Sequence, residues 1–125
     1  MEHDPILGPF ALSSEIERLA PGDGASGRRA ATLVKADGLR VVLVTMRRGA
    51  VLAEHTAPGP ITIQALRGSF LVTVGAVERS LPAGELISVG AQVPHAVRAV
   101  EDGAFLLTIG WPHGQAGEPA AVTAP

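Results

Sequence analysis

Hydrophobic residues in this chain fall into nine short runs, and turn-forming residues separate each run from the next. The runs are rich in valine, isoleucine and leucine, and glycine, proline or Asp-Gly pairs stand between them. They comprise Arg29–Lys35, Leu39–Arg47, Val51–Ala57, Ile61–Leu66, Phe70–Val74, Val77–Leu81, Leu86–Val89, His95–Val100 and Phe105–Trp111. Short strands with a turn about every eight to twelve residues are typical of an all-β sandwich or barrel. The pattern therefore predicts an all-β fold.

The residues outside these runs predict a short extension before the strands and a tail after them. Ser13–Ala20 is the stretch with helical character, and Ser13 or Ser14 is its expected N-cap residue. Pro21–Gly27 has the glycine content of a linker. We predict three parts: residues 1–27 as an N-terminal extension and linker, residues 28–112 as the barrel, and residues 113–125 as a flexible C-terminal tail.

Two of the runs are hydrophobic on both faces of the predicted strand. Val41–Val44 contains four consecutive aliphatic residues, and Phe105–Leu107 is a second such block. Since neighbouring residues on a strand point to opposite faces, one face packs in the core and the other needs a separate cover. Either the N-terminal segment or a second subunit would provide it, and we predict a homodimer. Trp111, the only tryptophan, is expected in the core or in that interface.

Composition excludes several classes of function. Apolar residues make up 46% and charged residues 18% of the 125 residues, and the net charge is −2, as expected for one globular domain. Aromatic residues, at 3%, are too few for base stacking, so no nucleic-acid partner is predicted. No apolar run approaches the ~18 residues of a membrane-spanning helix. The chain lacks cysteine and its first residues do not resemble a secretory signal, so we predict a cytoplasmic protein without a membrane partner.

A histidine between two glycines marks the third and fourth runs. Five residues separate Gly49 from His55, three separate Ala57 from Ile61, and six separate Ile61 from Gly68. This spacing resembles the first motif of the cupin family, which runs glycine, His-x-His, glutamate and glycine with the same gaps. In that alignment His55 is the first histidine, whereas Ala57 and Ile61 stand in place of the second histidine and the glutamate.

A second stretch has the spacing of the other cupin motif, which runs glycine, Pro-x-Gly, histidine and asparagine. Gly84 is followed, after five residues, by Gly90 at the proline position and Gln92 at the glycine position. His95 stands at the histidine and Ala99 at the asparagine, without a gap. Across both motifs the chain resembles a small single-domain cupin of the RmlC-like superfamily. The resemblance implies a double-stranded β-helix, or jelly-roll barrel, with a short N-terminal extension.

The resemblance also implies a ligand position, because a typical cupin metal site uses three histidines and one glutamate. This chain has His55 and His95 of those four ligands, with Ala57 and Ile61 at the other two positions. Zinc, iron, nickel or manganese is the divalent metal that such a site would hold. Catalytic zinc normally has three protein ligands, and non-haem iron has two histidines and a carboxylate. We therefore predict that the site is metal-free or binds metal weakly.

Three further side chains contain donor atoms that could join the two histidines. Glu54 is adjacent to His55 and faces the opposite way on a regular strand, so it would reach the site only through a bulge. Gln64 has the parity opposite to Ile61, and amides are weak ligands for transition metals. His113 follows the last strand and would have to fold back. None of the three is predicted to complete a metal site.

These positions predict a largely apolar pocket with two imidazoles at one end. Residues two apart on a strand share a face, so the neighbours of His55 and His95 on that face form the pocket wall. The predicted wall consists of Ala57, Ile61, Ile63, Ala65 and Val97. Thr45, Met46 and Trp111 are further candidates whose facing the sequence leaves open.

Three functions remain open from the sequence. The first is a binding module that holds a small organic molecule among apolar side chains and two imidazoles. The second is an enzyme of isomerase, cyclase or dioxygenase type, in which His55 and His95 act as general acid and base or hold a metal. The third is a structural or regulatory dimer without ligand chemistry. The fold favours none of them, and the sequence names no substrate.

Overall fold

All nine predicted runs form strands. The computed structural model describes residues 5–22 and 24–112 of the chain. Within them lie one helix, α1 (Leu12–Arg18), and nine strands: β1 (Arg28–Ala36), β2 (Leu39–Met46), β3 (Val51–His55), β4 (Ile61–Arg67), β5 (Ser69–Val74), β6 (Val77–Pro82), β7 (Leu86–Val89), β8 (His95–Ala99) and β9 (Gly103–Gly110). The first strand begins where the barrel was predicted to begin, whereas the predicted tail, residues 113–125, lies outside the described residues.

The strands form two antiparallel sheets. The five-stranded sheet has the order β1-β2-β9-β4-β7, and the four-stranded sheet has the order β3-β8-β5-β6. From β3 onward the chain crosses between the sheets at nearly every connection, because β3, β5, β6 and β8 belong to one sheet and β4, β7 and β9 to the other. Two antiparallel sheets joined in this way form a jelly roll. The predicted all-β, double-stranded β-helix is confirmed.

The hydrophobic core lies between the two sheets. Cross-strand pairing aligns its residues in rows, such as Val42, Leu107 and Ile63 across β2, β9 and β4. At the end of the barrel near Gly68, the rings of Phe70 and Phe105 pack edge to face with 5.2 Å between their centroids. Both phenylalanines are fully buried. The phenylalanines therefore fill this end, and the histidines identified in the sequence lie at the other.

The outer face of β2 is covered in part by the N-terminal segment. Thr45 points to this outer face, and its hydroxyl donates a hydrogen bond of 2.5 Å to the carbonyl oxygen of Leu19, just after α1. Leu43, two residues earlier on the same face, is 0% exposed in the single chain. The first of the two predicted covers is therefore present over this part of β2, and the homodimer remains a prediction.

The start of α1 differs from the prediction. Ala11, not Ser13 or Ser14, occupies the N-cap position, and no side chain caps the helix. The first turn is closed by the backbone alone, through the bond from the Glu15 amide to the Ala11 carbonyl oxygen. Glu15 also forms an ion pair with Arg18 along the exposed side of the helix. The N-cap position is therefore two residues before Ser13 and three before Ser14, and the prediction of a serine cap is wrong.

Candidate functional site

The two histidines of the motifs lie side by side at the inner wall of the barrel. β3 pairs with β8 so that His55 stands directly opposite His95. Their ring centroids are 4.4 Å apart, with an angle of 60° between the ring planes. His95 shares its strand face with Val97 and Ala99, both of which are core residues, so both rings face the interior. We call His55 and His95 the histidine pair.

A bulge in β3 turns His55 toward the interior. Leu52 pairs with Val97 and faces the core, and His55 pairs with His95, so three steps on β3 match two steps on β8. On a regular strand, residues three apart face opposite sides, and His55 would point to solvent. The extra residue of the bulge restores the inward direction. Ala53 and Glu54 lie in the bulge and are exposed.

Each ring of the histidine pair is held by a backbone carbonyl two residues earlier in the chain. The Nδ1 atom of His55 lies 2.7 Å from the carbonyl oxygen of Ala53, and that of His95 lies 3.0 Å from the carbonyl oxygen of Val93. A carbonyl oxygen only accepts hydrogen bonds, so both Nδ1 atoms carry the proton and donate it. In the neutral rings, both Nε2 atoms therefore present a lone pair to a ligand.

The two imidazoles have different surroundings. His95 is 3% exposed, whereas His55 is half-buried. Burial lowers the pKa of His95 below its ordinary value of 6.5; the hydrogen bond to Val93 opposes this shift, and the charge of His55 adds to it. The folded chain thus binds this proton less readily than the unfolded chain. The resulting contribution to stability is complete above about pH 6.5 and is lost progressively as the pH falls from there through the lower pKa of the folded state.

The predicted wall residues all face the interior. They are at most 6% exposed and belong to the core cluster: Ala57, Ile61, Ile63, Ala65 and Val97. The structure also shows the directions of the three side chains whose orientation the sequence left undetermined. Met46 and Trp111 pack in the core, and Thr45 points away from it. The wall is as apolar as predicted, and its role in binding stays a prediction.

No third donor joins the histidine pair within residues 5–22 and 24–112, where no three histidine or acidic side chains come together. Glu54 remains exposed although the bulge is present. Gln64 pairs with Leu106 and Leu86 on the outer face, and His113 lies outside the described residues. Two imidazoles are one donor short of the smallest common catalytic metal site. The described side chains therefore do not fit the metal that cupin motifs imply.

Arg40 and Trp111 belong to the same end of the barrel, and the sequence did not reveal Arg40. Arg40 is 9% exposed, and its guanidinium carbon lies 4.3 Å from the centroid of the Trp111 ring. An arginine one residue after the β1–β2 turn would ordinarily be solvated. The signal available in the sequence was the alternation of β2, which places Arg40 on the face of Val42 and Val44.

Two open hollows of about 460 Å³ lie elsewhere on the surface. One runs between α1 and the ends of β2 and β4, next to Thr45, Arg47 and Arg67. The other adjoins Ser26 and three arginines, Arg28, Arg47 and Arg48. Neither is lined by the histidine pair.

Comparison with solved structures identifies the fold. Similar chains include a conserved protein of unknown function from Streptococcus pyogenes (24% identity, 91% of this chain and 93% of that chain covered, TM-score 0.71). A cupin superfamily protein from Desulfitobacterium hafniense is 18% identical over 86% of this chain and 94% of that chain, with a TM-score of 0.72. A salicylate 1,2-dioxygenase from Pseudaminobacter salicylatoxidans is 18% identical over 78% of this chain and 33% of that chain, with a TM-score of 0.69.

The chain is thus a small cupin-fold protein, as its two motifs predicted. No protein-family model and no curated protein matches its sequence. Among the described residues, no helix has the length and hydropathy needed to cross a membrane.

Proposed function

We propose that this cupin-fold chain binds a small organic molecule at the histidine pair, in a pocket that is metal-free or only weakly metallated. The observation that carries the proposal is the arrangement of the two rings. Both Nδ1 atoms donate to backbone carbonyls, which leaves the Nε2 atoms of two rings with centroids 4.4 Å apart for a ligand, beside an apolar wall. Apolar walls with a few convergent polar groups are the usual composition of small-molecule sites.

The proposal is tested by NMR screening of the natural chain against a mixture of small organic fragments. We expect binders that shift the imidazole signals and lose at least about tenfold in affinity in His95→Asn, since one good hydrogen bond is worth about 1.4 kcal/mol. Asparagine can keep the hydrogen bond to Val93, because its amide nitrogen lies near the position of Nδ1, and it removes Nε2. The control is Gln64→Ala on the outer face. Fragments whose affinity is unchanged in both His55→Asn and His95→Asn would refute the proposal.

A second candidate function, acid–base catalysis, is favoured by the lowered pKa of His95. A neutral imidazole at physiological pH can accept a proton, and the neighbouring His55, whose ring centroid is 4.4 Å away, can hold or return one. An enzyme of isomerase or cyclase type can use such a pair as its acid and base. Conversion of a bound fragment over time in the same NMR samples, lost in His95→Asn, would favour this candidate over simple binding.

We also propose that the chain forms a homodimer through the outer face of the five-stranded sheet. Leu39 and Leu86 are 37% and 56% exposed on this face, and Val41 and Leu106 are half-buried beside them. A stable interface there should bury at least about 1,000 Å² in total.

Sedimentation velocity at tens of micromolar should therefore give the mass of a dimer. Leu86→Glu should shift the chain toward monomer, because it places a charge in the interface. Val77→Glu, which changes an exposed aliphatic residue of the other sheet, should not. A natural chain that sediments as a monomer would contradict the dimer.

A further inference from the structure

Arg40 carries a buried positive charge without a counter-charge. It is 9% exposed and lies on the inner face of β2, where it pairs with Ile109 of β9. Within residues 5–22 and 24–112, no carboxylate lies within ion-pair distance of its guanidinium. Charged side chains this deeply buried are nearly always paired, because removing the charge from water is costly.

The contacts of Arg40 leave one edge of the guanidinium unused. Nη1 donates hydrogen bonds to the carbonyl oxygens of Ala36 at 2.7 Å and Leu39 at 3.2 Å. Nε is buried without a hydrogen-bond partner. The edge formed by Nε and Nη2 has two parallel N–H groups. Their spacing matches that of the two oxygen atoms of a carboxylate.

Trp111 adds a second unpartnered donor at the same place. The Arg40 guanidinium stacks over its ring, and its Nε1 is also buried without a hydrogen-bond partner. Stacking on an aromatic ring stabilises a cation, but it supplies no negative charge and no acceptor for these N–H groups. Two buried donors and one uncompensated charge therefore lie side by side in an otherwise apolar core.

Arg40 and the histidine pair lie at the same end of the barrel. Arg40 pairs with Ile109, and Ile109 pairs with Ile61, the first residue of β4. The loop of residues 56–60 joins this point to His55, the last residue of β3. Arg40 thus belongs to the end row of one sheet and the histidine pair to the end row of the other. Facing sheets are about 10 Å apart from backbone to backbone, with side chains between them, so a ligand that contacts both groups is a small molecule.

We infer that the barrel ligand is a small organic acid, whose carboxylate pairs with Arg40 while its other end contacts the Nε2 atoms of the histidine pair. This inference rests on the proposed function and adds the chemical class of the ligand. Because Nε is buried, the carboxylate reaches it only when neighbouring side chains move, as side chains commonly do on binding. A bound carboxylate would supply the counter-charge that the unbound chain lacks at Arg40.

The inference is tested with matched acids and amides of the same shape, benzoate with benzamide and hexanoate with hexanamide. Melting temperature and calorimetric affinity are measured for the natural chain, Arg40→Met and Arg40→Lys. We expect the acids to stabilise the natural chain and to bind at least about tenfold more tightly than the amides. Arg40→Met should lose this preference, and Arg40→Lys should keep part of it, since lysine retains the charge without the planar edge.

Two comparisons separate this role from a structural one. Without ligand, Arg40→Met should melt at the same or a higher temperature, because apolar replacements of buried charges are often neutral or stabilising. Arg48→Met, which removes an exposed arginine, should behave as the natural chain does in every assay. A large fall in the melting temperature of unliganded Arg40→Met, together with unchanged acid binding in Arg40→Lys, would show that Arg40 is a structural clamp and overturn the inference.

The other possible outcomes distinguish failure of the inference from failure of the proposed function. Equal binding of acids and amides that still depends on His95 would overturn the role of Arg40 and leave the proposed function standing. Binding of neither kind of probe at millimolar concentration would count against both. Stabilisation by inorganic phosphate alone, lost in Arg40→Met, would show an anion site of a different class and overturn the assignment to organic acids.

Discussion

The double variant Ala57→His with Ile61→Glu should bind zinc or nickel tightly, whereas the natural chain should bind either metal weakly. The two replaced residues stand where the cupin motifs have metal donors, and both face the interior beside the histidine pair. The variant would supply three imidazoles and one carboxylate. Without metal it should lose several kcal/mol of stability, because a carboxylate is then buried unpaired. Excess metal at about 1,000 times Kd should restore about 4 kcal/mol.

Melting curves of both proteins with and without metal measure this effect, and elemental analysis of the natural chain supplies its baseline. The matched control is Thr62→Glu alone, which places the carboxylate on the outer face of β4, leaves only two imidazoles inside and should gain little from metal. A natural chain already stabilised strongly by zinc, or purified with stoichiometric metal, would show that a ligand was missed, with Glu54, Gln64 and His113 to be examined first. A double variant indifferent to metal would contradict the alignment at Ala57 and Ile61.

Gly59→Ala should be the most destabilising single methyl addition at the histidine end of the barrel. A Cβ at this position would lie 1.7 Å from the carbonyl oxygen of Gly110, so backbone must move. The loop that joins His55 to β4 packs here against the end of β9, where the Gly110 amide donates to the Pro60 carbonyl oxygen at 2.9 Å. Overpacking and the loss of this bond together should cost about 3 kcal/mol, or roughly 10 °C in Tm.

Chemical denaturation measures the loss directly. Gly90→Ala, in the loop before His95, is the control: the nearest atom to its added Cβ is a Val93 methyl at 3.6 Å, which is ordinary contact. Its effect should stay within about 0.5 kcal/mol. If the two variants melt at the same temperature, the loop and β9 are not packed as the structure places them.

The strands could be predicted because their signals are local. Runs of β-branched residues between Gly and Pro turns located all nine, and only their ends differ by up to two residues. The direction of His55 could not be predicted from alternation, since Leu52 and His55 are three apart and both face inward. Motif spacing placed His55 correctly because it counts residues from Gly49 and does not depend on alternation. A bulge depends on pairing with a distant strand, so periodicity within one strand does not show it.

The chemical surroundings of the site were harder to predict than its position. The missing metal donors could be seen in the sequence, because Ala57 and Ile61 occupy known motif positions. Arg40 was missed because its burial depends on stacking with Trp111, more than 70 residues later in the chain. The hydrogen bonds that fix both tautomers depend on backbone geometry at Ala53 and Val93. The alternation of β2 places Arg40 on the inner face, but the stacking on Trp111 and the two histidine hydrogen bonds arise from tertiary packing and leave no pattern in one sequence.

Long-range ¹H–¹⁵N NMR of the two imidazoles, followed from pH 8 to pH 5, tests the central claim most directly. We expect both rings at pH 8 to be protonated at Nδ1 and unprotonated at Nε2, because each Nδ1 donates a hydrogen bond to a backbone carbonyl. His95 should titrate below its ordinary pKa of 6.5 because of its burial, and its signals should respond when His55 gains a proton. Rings protonated at Nε2, or a His95 that titrates at its ordinary pKa with no response to His55, would contradict a shared site.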